Sequence, residues 1–301
     1  MVPFLERLKE TQKRYESWLC VGLDPVMDRL PEVMLKAHEP LVAFCCAVVE
    51  ATADLVCAYK PNLAFWLAEG PQGLAALEVV VATVPQDIPV ILDGKFGDVG
   101  HTAAAYAHFA FDRLGVDAVT ANPYLGLDSL RPFLERVGRG VFLLTRTSNP
   151  SALDLQDLLV HRPERAGTGG PDLSVIPRQK PGLQARGVAL YEQAARLAVR
   201  WDAELPGICG LVAGATYPEE LVRLRALAPN LPFLIPGIGP QGGSLETAVA
   251  HGPTASGLGP IINSSRGILY ASPGPDFAAA ARAAALALRN RANELRTARC
   301  A

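Results

Sequence analysis

Short apolar runs of strand length recur along the chain, separated by longer stretches with the three-to-four-residue spacing of helices. The runs occupy 19–24 (LCVGLD), 56–62 (VCAYKPN), 89–95 (PVILDGK), 118–123 (AVTANP), 140–147 (GVFLLTRT), 208–215 (ICGLVAGA), 232–238 (PFLIPGI) and 259–265 (GPIINSS). Between them lie helical patterns such as PLVAFCCAVVEATADL, HTAAAYAHFAFDRLG, GVALYEQAARLAVRW and PEELVRLRALA. Strands that are apolar on both faces and alternate with helices imply a parallel sheet covered on each side. Eight such units predict a closed (β/α)₈ TIM barrel. An open doubly wound sheet is the alternative. It is weakened because GLDPVMDRLPE follows the first strand where a glycine-rich dinucleotide turn would stand.

One stretch breaks the alternation. Residues 152–186 are rich in proline, glycine and charge, and they follow the fifth strand. A connection of that length inside a barrel is expected to emerge on the catalytic face. With no linker elsewhere, residues 1–301 read as a single barrel domain carrying this loop excursion.

Composition narrows the function classes. The chain has 301 residues, half of them hydrophobic, with 28 Lys+Arg against 30 Asp+Glu and a net charge of −2. That balance argues against coating nucleic acid or a membrane surface, which needs a basic excess. The apolar stretch 41–59 is interrupted by Glu50 and Asp54, and the N-terminal residues carry charges every few positions. Neither resembles a membrane span or a signal peptide, so a cytoplasmic protein is expected. The six cysteines show no metal-like spacing and read as small core residues. His101 and His108, seven apart on a helical pattern, complete no metal set.

The candidate chemistry sits at strand ends. Residues two apart on a strand share a face, so Asp93 and Lys95 project together at the end of the third strand. Asp24 and Lys60 end the first and second strands, and Asp98 lies where the chain turns toward the next helix. Charges are rarely gathered this way without pairing or purpose. Flanking carboxylates favour protonated amines, so Lys95 reads as a cationic acid and not as a Schiff-base nucleophile. IPGIGPQGG (235–243) and INSSRG (262–267) follow the last two strands, the usual place of a phosphate site in this fold. Arg266 offers a forked donor there. Thr145, Thr147, Ser148 and Asn122 offer polar groups at the ends of the fourth and fifth strands, where turn and capping roles compete.

Taken in order, VGLDP, YKPN, DGKFGD, TSNPSA, PGIGPQGG and NSSRGI resemble the orotidine 5′-phosphate decarboxylase family in its longer bacterial form, over nearly the whole chain. The resemblance implies conversion of orotidine 5′-phosphate to UMP in pyrimidine biosynthesis, without metal or organic cofactor. It implies that Lys95 protonates C6 of the pyrimidine, with Asp93 beside the departing carboxylate. Lys60 would hold the array and contact ribose, Asp24 a ribose hydroxyl, and Ser148 the pyrimidine. Gln241, Arg266 and the backbone near Ser265 would hold the 5′-phosphate. Asp98 and Thr102 would reach into a partner's site, making a homodimer the active unit. Phe96 departs from the pattern, standing where a basic residue is expected after Lys95. Rival readings are a metal-using sugar-phosphate lyase, which shares D-x-K-x-x-D, and an inactive barrel that binds nucleotides.

Overall fold

The computed structural model describes residues 2–160, 187–238 and 243–300. Eight parallel strands form one sheet: β1 (Leu19–Leu23), β2 (Ala58–Pro61), β3 (Ile91–Phe96), β4 (Ala118–Ala121), β5 (Gly140–Leu144), β6 (Ile208–Val212), β7 (Phe233–Ile235) and β8 (Ile261–Ser264). Seven fall within the apolar runs, and β3 runs one residue past its own, to Phe96. Their order around the sheet is β2-β1-β8-β7-β6-β5-β4-β3. Parallel bridges Tyr59↔Val90 and Asn62↔Asp93 join its two edges and close the (β/α)₈ barrel.

The core has two layers. Inside the barrel, Cys20, Cys57, Ile91, Phe142, Leu234 and Ile261 pack together. The helix Phe4–Arg14 caps the N-terminal end, where the Phe4 ring meets Phe142 edge to face at 5.7 Å. Outside, larger side chains fill the space between strands and helices, with Trp66, Trp201, Tyr59, Phe44 and Phe133 fully buried. Burying each such ring contributes roughly 1.5–3 kcal/mol. Five free cysteines are described, four of them buried, as expected for small core residues.

The helical patterns form as expected, with one deviation. The helix Gly100–Ala107 widens into a π-turn over His108–Arg113, where the Leu114 amide donates to the Phe109 carbonyl. The expected excursion opens with a 3₁₀ turn (Pro150–Asp154) and a short antiparallel ribbon pairing Leu159–Val160 with Val188–Ala189. Its remainder, 161–186, lies outside the described residues. Among the described residues, no helix is long and apolar enough to cross a membrane.

Candidate active site

The C-terminal rim of β2, β3 and β4 carries a linked set of charges. Lys60 is 3 % exposed, and its Nζ donates to Asp93 Oδ2 at 2.9 Å. The other carboxylate oxygen, Oδ1, accepts from Lys95 Nζ at 2.8 Å and from Thr120 Oγ1 at 2.7 Å. Thr120 Oγ1 in turn accepts the Lys95 backbone N–H at 2.9 Å. Asp24 Oδ1 accepts the Asn62 N–H at 3.2 Å and faces the same cavity. Lys60, Asp93 and Lys95 therefore touch as a chain of ion pairs. Asp24 stands beside Lys60 without a direct ion pair, and Asp98 is not in contact with the three.

Regular strand alternation does not by itself produce this geometry. Leu92 pairs with Val119 and Phe96 with Ala121, so four steps of β3 span two of β4 and the segment between bulges. Lys95 sits in the bulge with φ of +48°, in the left-handed region that side chains rarely adopt. Gly94 is required beside it, because a Cβ there would lie 2.3 Å from the Phe96 ring. Phe96 itself is buried and stacks on Phe133 at 5.6 Å and against Tyr106 at 5.1 Å. Its aromatic character serves the helix layer and anchors the strand below the bulge.

The electrostatics follow from burial and partners. Burial alone would drive Lys60 toward neutrality; Asp24 and Asp93 override it and hold the ammonium above the ordinary lysine range. Burial likewise opposes ionisation of Asp93, and Lys60 and Lys95 override it, holding the carboxyl well below its usual range. Half of the Lys95 side chain remains exposed at the barrel mouth. A cation held there by a fixed carboxylate can stabilise negative charge and can deliver a proton.

A cavity of about 480 Å³ opens against this array. Asp24, Lys60 and Asp93 line one side, and Ser265, Arg266 and Gly237 the other. Gly22 makes room for the far wall: a Cβ there would lie 1.8 Å from Ser265 Oγ. Arg266, exposed at the end of β8, makes no ion pair among the described residues. The glycine loop after β7 leaves and returns at one point, where the Gly243 N–H donates to the Gly237 carbonyl at 3.2 Å. Gln241, expected at the phosphate, lies outside the described residues.

The remaining expected residues stand apart from the cavity. Ser148 follows β5 with its backbone against Gly214 at the end of β6. Asp98 accepts the Val99 N–H at 2.7 Å, and Thr102 is half-buried in the helix that follows. Thr145, Thr147 and Asn122 take structural roles. Thr145 Oγ1 donates to the Val212 carbonyl, Thr147 Oγ1 bonds Asn149 and Gln156, and Asn122 caps the turn at Tyr124. His108 pairs with Asp112 on its own helix. Among the described residues, no three His, Cys, Asp or Glu side chains converge to hold a metal ion.

Sequence reasoning missed four residues of the site. Thr120 links Asp93 to the Lys95 backbone. Asn263, 7 % exposed, lines the cavity with an Oδ1 that lacks a hydrogen-bond partner. Arg29 lies over the Tyr270 ring at 3.9 Å, and Tyr270 Oη both accepts the Val26 N–H and donates to the Asp24 carbonyl. INSSRG contained Asn263, but nothing local singled it out. The Arg29–Tyr270 pair joins distant parts of the chain and left no local signal.

A closed parallel barrel with ion-paired amines at its C-terminal rim, facing a cavity edged by the turn after its last strand, is the architecture of an enzyme, and comparison with known proteins places it among the lyases. The chain belongs to the orotidine 5′-phosphate decarboxylase / HUMPS family, whose model matches residues 17–284. It is similar to an orotidine 5′-phosphate decarboxylase of Thermomicrobium roseum, with 45 % identity over 97 % of this chain and 96 % of the relative. It is also similar to the structure of Leishmania donovani OMP decarboxylase, with 38 % identity, a TM-score of 0.76, and coverage of 98 % of this chain and 100 % of that one. The structure of Leishmania donovani UMP synthase matches with 40 % identity and a TM-score of 0.79, and there the chain spans 57 % of the larger protein.

Proposed function

We propose that this decarboxylase converts orotidine 5′-phosphate to UMP without a cofactor, with Lys95 as the group that stabilises and then protonates the C6 carbanion. The observation that carries the reading is the Lys60–Asp93–Lys95 chain of ion pairs: Lys60 and Asp93 line a cavity whose far side ends in Ser265 and Arg266, and the half-exposed Lys95 amine is held by Asp93. Loss of CO₂ from C6 leaves an electron pair that the pyrimidine ring does not delocalise. An ammonium fixed beside that carbon offsets the charge and supplies the proton that completes UMP.

Asp93 beside the substrate carboxylate adds repulsion that is relieved as CO₂ departs. Two like charges about 4 Å apart at an effective dielectric of about 20 repel by roughly 4 kcal/mol. That corresponds to about three decades of rate, against the roughly 8–23 kcal/mol that enzymes supply. Repulsion assists; charge stabilisation by Lys95 carries the larger share. Arg266, Ser265 and Gln241 bind the 5′-phosphate, and that remote contact supplies binding energy for the reacting end. Asp24 and Lys60 bind ribose, and Ser148 meets the pyrimidine.

Asp98 and Thr102 act across a homodimer. Among the described residues Asp98 hydrogen-bonds only its neighbour's amide; Val99 and Tyr106, close to it in the chain, and Tyr124 and Leu125 after β4 expose apolar surface. That surface suits a second copy.

Chelator-treated enzyme given orotidine 5′-phosphate is the direct test. The reading expects full loss of the orotate absorbance with UMP as product. Activity restored only by a divalent metal would overturn the cofactor-free mechanism, and UMP binding without turnover would make the barrel a nucleotide-binding module.

A further inference from the structure

At the opposite end of the barrel, the residues preceding β1 and β8 border a second hollow of about 400 Å³. Its lining includes Lys9, Lys13, Arg296, Trp18, Gln12 and Leu258, and no carboxylate. Lys9 and Lys13 are four apart on the helix Phe4–Arg14, so they share a face. Arg296 comes from the last helix, Phe277–Cys300, with its guanidinium over the Trp18 ring at 5.3 Å. The Gln12 side-chain amide is already used: its Oε1 accepts the Gly259 N–H and its Nε2 donates to the Gly259 and Pro260 carbonyls.

The three cations differ from most of the basic residues on the same two helices. Arg7 pairs with Asp117, Arg14 with Asp87, Arg282 with Asp54, and Arg291 with Glu246 and Glu294. Lys9, Lys13 and Arg296 have no ion pair among the described residues. A chain of net charge −2 thus gathers three unpaired cations around one hollow. Like charges so placed repel, and an anion seated between them relieves the repulsion.

We propose that this hollow binds an oligophosphate anion, of which diphosphate is the smallest member. A monophosphate carries about two negative charges at neutral pH and leaves the three cations under-compensated. The hollow falls within the roughly 300–1,000 Å³ of small-molecule sites. Arg296 already covers the Trp18 ring, so recognition rests on charge and not on stacking of a base. The site is separate from the substrate cavity and does not depend on which reaction occurs there.

Calorimetric titration with inorganic pyrophosphate at low ionic strength tests the proposal on three proteins. Wild type and Arg266→Ala should both bind; the latter, whose substrate cavity has lost its phosphate-holding arginine, still has the hollow of Lys9, Lys13 and Arg296. Lys13→Ala/Arg296→Ala in the Arg266→Ala background should bind about tenfold more weakly, the loss expected for two ionic contacts. The same pair in wild-type background should turn over substrate normally and keep its melting temperature in anion-free buffer. Binding that disappears with Arg266→Ala alone, or that survives the Lys13/Arg296 pair unchanged, would overturn the site, as would no binding at millimolar pyrophosphate. If the pair fails to fold, Lys9→Gln and Lys13→Gln, both on the exposed helix surface, carry the same comparison.

Discussion

Thr120→Val replaces a 1 % exposed hydroxyl by a methyl of similar shape, so the barrel has no reason to repack. Two hydrogen bonds disappear: the one donated to Asp93 Oδ1 at 2.7 Å and the one accepted from the Lys95 N–H at 2.9 Å. The first goes to a charged acceptor and is worth about 1.5–3 kcal/mol; the second leaves an amide unpaired at about 1–3 kcal/mol. That amide belongs to the residue held at φ of +48°, a conformation that costs of order 1–3 kcal/mol and persists only where neighbours enforce it. The substitution should therefore cost about 3 kcal/mol of stability by urea unfolding. If the hydroxyl serves to place the Lys95 ammonium, about 1.4–2.8 kcal/mol should also reach the barrier, a 10- to 100-fold fall in kcat with little change in KM. Thr120→Ser should restore both. A Thr120→Val enzyme with wild-type kcat would refute the positioning argument, whatever happened to its stability.

Other consequences concern the same rim. Asp93 titrates below its ordinary range in the fold, so its ionic stabilisation is complete above the unfolded value of about 3.9 and is lost as pH falls from there toward the lower folded value. Asp93→Asn should lack that part of the acid unfolding limb and, by stranding the buried Lys60, should lose about 3–5 kcal/mol at neutral pH by denaturant titration. Lys60 has the opposite sign: its raised pKa stabilises below about 10.4 and that contribution fades as pH rises above it, a slope that Lys60→Met should remove. Gly22→Ala forces a methyl onto Ser265 Oγ and should raise KM while costing about 1–3 kcal/mol of stability, which steady-state kinetics and thermal unfolding would separate. Phe96→Ala should cost about 3–5 kcal/mol of stability by emptying its place between Phe133 and Tyr106.

The barrel was legible because parallel strands buried on both faces are written as continuous apolar runs, and all eight runs hold a strand. The placement of Asp24, Lys60, Asp93, Lys95 and Arg266 near one rim was legible because strand ends in this fold point the same way, whereas Ser265 came only from the family resemblance. The bulge in β3 was not. It depends on Thr120 accepting an amide from the neighbouring strand and on where the Phe96 ring lies, and neither is a property of residues 91–96 alone. The grouping of Asp93 with Lys95 followed from a two-residue spacing, while the bonds that fix it cross from β3 to β4. Thr145, Thr147 and Asn122 show the converse: their polar groups at strand ends satisfy nearby backbone and side-chain partners.

The central claim rests on the Lys95 amine. Lys95→Ala, checked by circular dichroism and by retained UMP binding, should lose nearly all turnover of orotidine 5′-phosphate, because the other amine of the array, Lys60, is buried and held by Asp93. Turnover within about tenfold of wild type, equivalent to only about 1.4 kcal/mol of barrier, would contradict it.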